Sequence, residues 1–165
     1  MKVFTDGACS SNGKALAKAG CGVYFQDTQE EFSLPLKEAM ELCGITGKIS
    51  NTNNTGEMMA ILCALNLIKD KTQEVAIYTD SMYSINCISI WLKAWKKNSW
   101  KTTTGKDVKN QSIIKAIDKK KSEFKSVIFI YVKAHTLEPE DKCSDEHSMW
   151  LGNYTADNLA TSART

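Results

Sequence analysis

The stretch Asn51–Lys69, "NTNNTGEMMAILCALNLIK", decides how the rest of the chain is read. Hydroxyl and amide side chains from Thr52 to Thr55 lead into a run in which only Asn66 is polar between Met58 and Ile68. A helix that is apolar nearly all round is a buried helix, so the stretch predicts a core helix from Gly56 to Lys69. One carboxylate, Glu57, stands at its entrance. Asn54-x-x-Glu57 has capping-box spacing, and a glutamate near a helix N-terminus is favoured by the free amides there. The alternative is that Glu57 points inward for a chemical purpose. The other carboxylates of the chain bear on the choice.

Two of them leave apolar strands. "KVFTDG" and "EVAIYTD" read as strands ending at Asp6 and Asp80, each beside a small residue. In layered α/β proteins the carboxyl ends of strands are where ligands bind. If the two strands are neighbours, Asp6 and Asp80 lie together. In that case Glu57 is within reach of the same point, and Asp157 in "GNYTADNLA" can join from a terminal helix over 153–163. Two unit charges about 4 Å apart cost roughly 4 kcal/mol at an effective dielectric of about 20. Such a cluster needs raised pKa values or a divalent cation. Donors that are all oxygen suit Mg²⁺ or Mn²⁺ and not zinc.

Elsewhere "GCGVYFQ" reads as a strand and "EFSLPLK" as another at an edge, because of Pro35. Glu38–Ser50 reads as a short helix and loop. Ser81–Leu92 reads as a helix capped by Ser81, Gln111–Glu123 as an amphipathic helix, and "SVIFIYVKAH" as the last strand. Strands first, then strands mixed with helices, indicate one α/β layered domain over 1–165.

Bulk properties narrow the function. The 165 residues are 42% hydrophobic and 24% charged, which suits one globular domain. No apolar run has the length of a membrane span, and no signal peptide opens the chain. Six cysteines without a CxxC pair suggest reduced thiols and an intracellular compartment, cytoplasm or nucleus. Eleven lysines between Lys93 and Lys125 face only three acids, whereas Glu138–Glu146 holds five acids and one lysine. Twenty of the 21 basic residues are lysine. Lysine acts as a point charge, so the basic segment favours a phosphate backbone over base reading. The other reading of such a segment is a solvated face.

Taken together, "TDGACSSNG", "AGCGVYF", "TNNTGE", "YTDSMYSINCI", "WLKAWKKNSWKTTTGKDVKN", "VKAH" and "GNYTADNLA" resemble the type 1 ribonucleases H, closest to the catalytic domain of the eukaryotic form. The resemblance runs from Val3 to about Ala163, with no N-terminal hybrid-binding module. It implies a mixed five-stranded sheet flanked by helices and a monomeric endonuclease acting on the RNA strand of an RNA–DNA hybrid. It also implies two Mg²⁺ ions, with Mn²⁺ as a substitute, held by Asp6, Glu57, Asp80 and Asp157. Hydrolysis by such a site leaves 5′-phosphate and 3′-hydroxyl ends. His135 matches a histidine that aids proton transfer or product release. Asn12, Asn53, Asn54 and Met82 match the hybrid's minor-groove contacts. Tyr83, Trp91 and Trp95 match a channel for the DNA strand, Thr52 and Asn110 a DNA-phosphate pocket, and Lys96 and Lys97 a basic protrusion.

The chain departs from that pattern in four places. Ser50 replaces a common arginine, Tyr154 replaces a glutamate, and insertions fall between Leu36 and Asn51 and between His135 and Asp157. The second insertion is acidic and reads as a surface loop. Two other readings are a hybrid-binding protein without catalysis and a nuclease of the same fold of the integrase or resolvase type.

Overall fold

The computed structural model describes residues 1–165. Five strands form one mixed sheet: β1 Lys2–Ser10, β2 Lys18–Phe25, β3 Glu30–Pro35, β4 Glu74–Thr79 and β5 Ser126–Tyr131. Their order is β3-β2-β1-β4-β5. β1, β2 and β3 pair antiparallel, while β4 runs parallel to β1 and β5 parallel to β4. Six helices flank the sheet: α1 Leu36–Cys43, α2 Asn53–Leu67, α3 Met82–Ile85, α4 Leu92–Lys97, α5 Gln111–Lys121 and α6 Asp145–Ser162. The expected mixed five-stranded sheet is present, with Pro35 closing an edge strand.

Side chains alternate across β1, and the core divides accordingly. Val3 belongs to the large core with α2 and α5. Phe4 belongs to the smaller one with Tyr24, Tyr78 and Ala156 of α6. The Phe4 and Tyr78 rings stack at 4.6 Å across the two parallel strands. α2 is buried on every side from Met58 to Leu65, as its composition requires. Each large side chain sealed there contributes about 1.5–3 kcal/mol.

Several boundaries differ from the sequence reading, each for a local reason. α2 begins at Asn53 and not Gly56. Its cap is Thr52, whose Oγ1 accepts the Thr55 N–H at 3.1 Å. Glu57 therefore lies beyond the first turn, and the Asn54–Glu57 capping box does not form. β1 does not end at Asp6: it continues to Ser10 because β2 pairs with it as far as Ser10↔Lys18. Its parallel ladder with β4 stops at Phe4↔Tyr78. The Ser81–Leu92 helix is interrupted by a π-turn over Asn86–Ile90, where the Trp91 N–H bonds the Asn86 carbonyl at 2.8 Å. α6 starts eight residues before Asn153. Ser144 caps it by accepting the His147 N–H at 3.0 Å, and Asp145 and Glu146 suit its positive end. The segment between His135 and Asp157 is thus loop over 136–144, as expected of the acidic insertion, and helix from Asp145 on.

Candidate active site

Two residues past Phe4 and Tyr78, the parallel strands β1 and β4 point toward Asp6 and Asp80. Asp6 lies where β1 has lost its β4 neighbour but keeps β2. Glu57 arrives by a close backbone approach. A β-carbon on Gly7 would stand 2.0 Å from the Glu57 nitrogen and 2.2 Å from the Gly56 carbonyl carbon. Only glycine at position 7 lets the start of α2 rest on β1. The result is a triad in which Asp6, Glu57 and Asp80 each place an oxygen within 4.8 Å of the others.

α6 adds a fourth carboxylate beside the triad. Gly22, the register partner of Asp6, has no β-carbon; one there would meet the Ala156 carbonyl oxygen at 2.1 Å. α6 therefore lies directly on the sheet, with Asp157 following Ala156. Asp157 stands outside the 4.8 Å triad, yet its charge acts on both Asp6 and Asp80. Asn153, one turn earlier on α6, is buried, and its Oδ1 has no partner. Asn153 escaped the sequence reading, although its spacing of four from Asp157 puts both on one helix face.

The electrostatics follow from this crowding. Burial, then the charges of Asp80 and Asp157, raise the Asp6 carboxyl from 3.8 to about 8. Glu57 is pushed well above the usual carboxylate range, first by burial and then by Asp6 and Asp80. Burial also raises Asp80, opposed by the polar Asn153 side chain and the charge of His135. Glu57 Oε2 is buried without a hydrogen-bond partner. A buried, unpartnered oxygen on a carboxylate that stands beside two others fits a hard divalent cation, and the donor set is all oxygen.

The remaining expected residues fall into two groups around the triad. A groove of about 630 Å³ is lined by Asn12, Thr52, Asn53, Asn54, Tyr83 and Asn110. The Asn12 Oδ1 accepts the Asn53 N–H at 3.0 Å, which ties the loop after β1 to the start of α2. Thr52 contacts Thr55 Oγ1 at 2.9 Å, and Thr55 in turn donates to Asn110 Oδ1 at 3.4 Å. Ser50 also lines this groove, together with Lys48 and Lys109. Met82, just after Asp80, is 46% exposed.

The second group is an aromatic row. Tyr83–Trp91, Trp91–Trp95 and Trp95–Trp100 have ring centroids 6.1, 5.8 and 6.4 Å apart. Trp91 is 39% exposed, whereas Tyr83, Trp95 and Trp100 pack partly on the core. Trp100 packs partly on the core and also extends this row. Lys96 is paired with Asp118 at 2.6 Å, while exposed Lys97 pairs with no acid. His135 turns with φ +51° and lines a cavity of about 400 Å³ that Asp157 also lines. No helix is long and apolar enough to cross a membrane, and all six cysteines are free thiols.

Comparison with known proteins is consistent with this layout. The family model described as RNase H matches residues 1–165. A ribonuclease H of Rhizobium etli is 39% identical over 146 residues, covering 88% of this chain and 87% of the relative. Ribonuclease H1 of Rattus norvegicus is 35% identical over 159 residues, covering 96% of this chain and 48% of the relative. The chain thus spans about half the length of that mammalian protein. The crystal structure of LC9-RNase H1, a type 1 RNase H with the type 2 active-site motif, has the same fold. Its TM-score is 0.68 at 19% identity, over 99% of this chain and 71% of that one.

Proposed function

The chain belongs to the ribonuclease H family, whose enzymes depend on metal and hydrolyse the RNA strand of RNA–DNA hybrids, and on that premise we propose how its residues act. Asp6, Glu57 and Asp80, with Asp157 beside them, hold divalent cations, magnesium by donor type and manganese as its substitute. When bound, two such ions would supply a water nucleophile near neutral pH and positive charge to offset the negative charge developing at the cleaved phosphodiester. The carboxylates do more than bind. Burial and mutual repulsion hold the Asp6 and Glu57 carboxyls above the usual carboxylate range while no cation is present, so loading the site favours release of protons from it. Asn153, on the same face of α6 as Asp157, favours the charged form of Asp80. His135, beside Asp157, carries a proton to or from the reacting phosphate or assists product release. The ends produced are 5′-phosphate and 3′-hydroxyl.

The substrate lies across the groove and the aromatic row. Side-chain amides of Asn12, Asn53 and Asn54 both donate and accept, which suits 2′-hydroxyls in a shallow minor groove, and Met82 borders them. Tyr83, Trp91 and Trp95 form the wall for the DNA strand. Thr52 and Asn110 take a DNA phosphate, with Lys96 and Lys97 on the flanking backbone. Every group comes from one copy of one catalytic domain over 1–165, so a monomer suffices.

One observation carries this reading: three carboxylates from three separate elements meet within 4.8 Å, with one buried oxygen unpartnered. Replacing Asp80 with Asn tests it. Cation-dependent cleavage is expected to disappear while hybrid binding, measured by anisotropy, survives. Substantial turnover by Asp80→Asn removes that carboxylate from the site.

A further inference from the structure

The acidic segment after His135 does not hang free. His147 Nε2 lies 3.0 Å from Glu138 Oε1, and Lys142 pairs with the same carboxylate. Trp150 Nε1 donates to the Thr136 carbonyl at 3.1 Å. Trp150 is itself held between two neighbours on its helix, the His147 ring at 5.5 Å and the Tyr154 ring stacked at 4.9 Å. Residues 147, 150 and 154 share one face of α6, as their spacing requires. The segment is anchored at its other end where the Val132 N–H bonds the Thr79 carbonyl at 3.0 Å, directly before Asp80. Between these ties the chain arches from β5 to α6, and His135 and Asp157 both line the cavity beneath the arch.

We propose that Glu138, His147 and Trp150 form a latch that holds the His135 loop over the carboxylate site. They are positioning residues: none touches the triad, and each acts by narrowing the range of places the His135 ring visits. The proposal rests on the reading above that His135 takes part in the reaction. The physical basis is population. A loop that samples many conformations is competent only for the fraction of time that its histidine is in place, and turnover falls with that fraction. The two ties lie on either side of Leu137, which is 93% exposed and contributes no apolar anchorage. The hold on the loop is therefore polar and specific, and it comes from residues within the insertion and the extended start of α6.

The test uses Glu138→Ala and Trp150→Phe, made in the original protein and again with His135→Ala. Phenylalanine keeps a ring between His147 and Tyr154 but removes the N–H that holds Thr136. Each change is expected to lower kcat about fivefold, the equivalent of about 1 kcal/mol, with KM within about twofold. Neither is expected to lower kcat further once His135 is alanine. Glu138→Gln, whose amide oxygen still accepts from His147, is expected to recover most of the loss. General destabilisation would slow both backgrounds alike, and that result overturns the latch. So does unchanged turnover of Glu138→Ala and Trp150→Phe beside a slow His135→Ala enzyme. Full turnover by His135→Ala alone instead removes His135 from the reaction, and the latch falls with it.

Discussion

Without cation, the protein is expected to lose stability as pH rises, and Asp6→Asn to relieve that loss. Below about pH 4 the Asp6 carboxyl is protonated in both folded and unfolded chains. Between 3.8 and about 8 the unfolded chain has released the proton while the folded chain still holds it. The unfolded state then binds fewer protons, so stability falls with rising pH through this window. Moving one carboxyl from 3.8 to about 8 corresponds to about 6 kcal/mol, at about 1.4 kcal/mol per pH unit. Half of that, about 3 kcal/mol, is assigned to Asp6→Asn, because Asp80 and Asp157 share the repulsion and a buried amide needs its own partners. In a chain of this size about 3 kcal/mol raises Tm by about 6–12 °C. The assay is thermal unfolding in chelator at pH 5 and pH 8. Asp6→Asn is expected to be the more stable protein at pH 8 and to approach the original at pH 5. Added Mg²⁺ is expected to stabilise the original at pH 8 and to do little for the variant. Parallel curves of Tm against pH for the two proteins in chelator would refute the reasoning.

Two further outcomes follow from the packing and the charge pattern. Gly7→Ala forces a β-carbon into backbone of α2, so it is expected to cost about 3 kcal/mol in urea unfolding and to remove activity by displacing Glu57; an unmoved midpoint contradicts the close approach. Lys97→Ala is expected to reduce the salt dependence of hybrid binding by close to one phosphate contact, about 0.9 in logarithmic slope, and Lys96→Ala by less, because Asp118 already pairs with Lys96; equal effects contradict that division.

How far the sequence could be read varied with the range of the interaction. The burial of α2 was legible because composition alone dictates it. Its starting residue was less so, since Thr52 and Asn54 have the same capping chemistry. The Thr52–Thr55–Asn110 contacts accompany the cap that forms, and one of them spans 55 residues of sequence. Asp6 and Asp80 were legible as a pair at matching strand positions. That β1 runs on to Ser10 depends on its ladder with β2, which local propensity does not reveal. The π-turn at Asn86–Ile90 carries no residue signature, as the helical spacing of Ile88 and Leu92 survives it. The true start of α6 did have a signal: Ser144 followed by Asp145 and Glu146 is a cap with acids in the first turn. Reading the insertion as a loop concealed it. Asn153 had the right spacing from Asp157 but no charge to attract notice.

The most direct measurement is cleavage of a labelled RNA–DNA hybrid by the unsubstituted protein, with Mg²⁺ and with chelator, beside double-stranded DNA of the same sequence. The account requires the RNA strand of the hybrid to be cut only when cation is present, with 5′-phosphate on the fragments and the double-stranded DNA intact. An uncut hybrid with Mg²⁺, cleavage that persists in chelator, or equal cutting of the DNA duplex would contradict it.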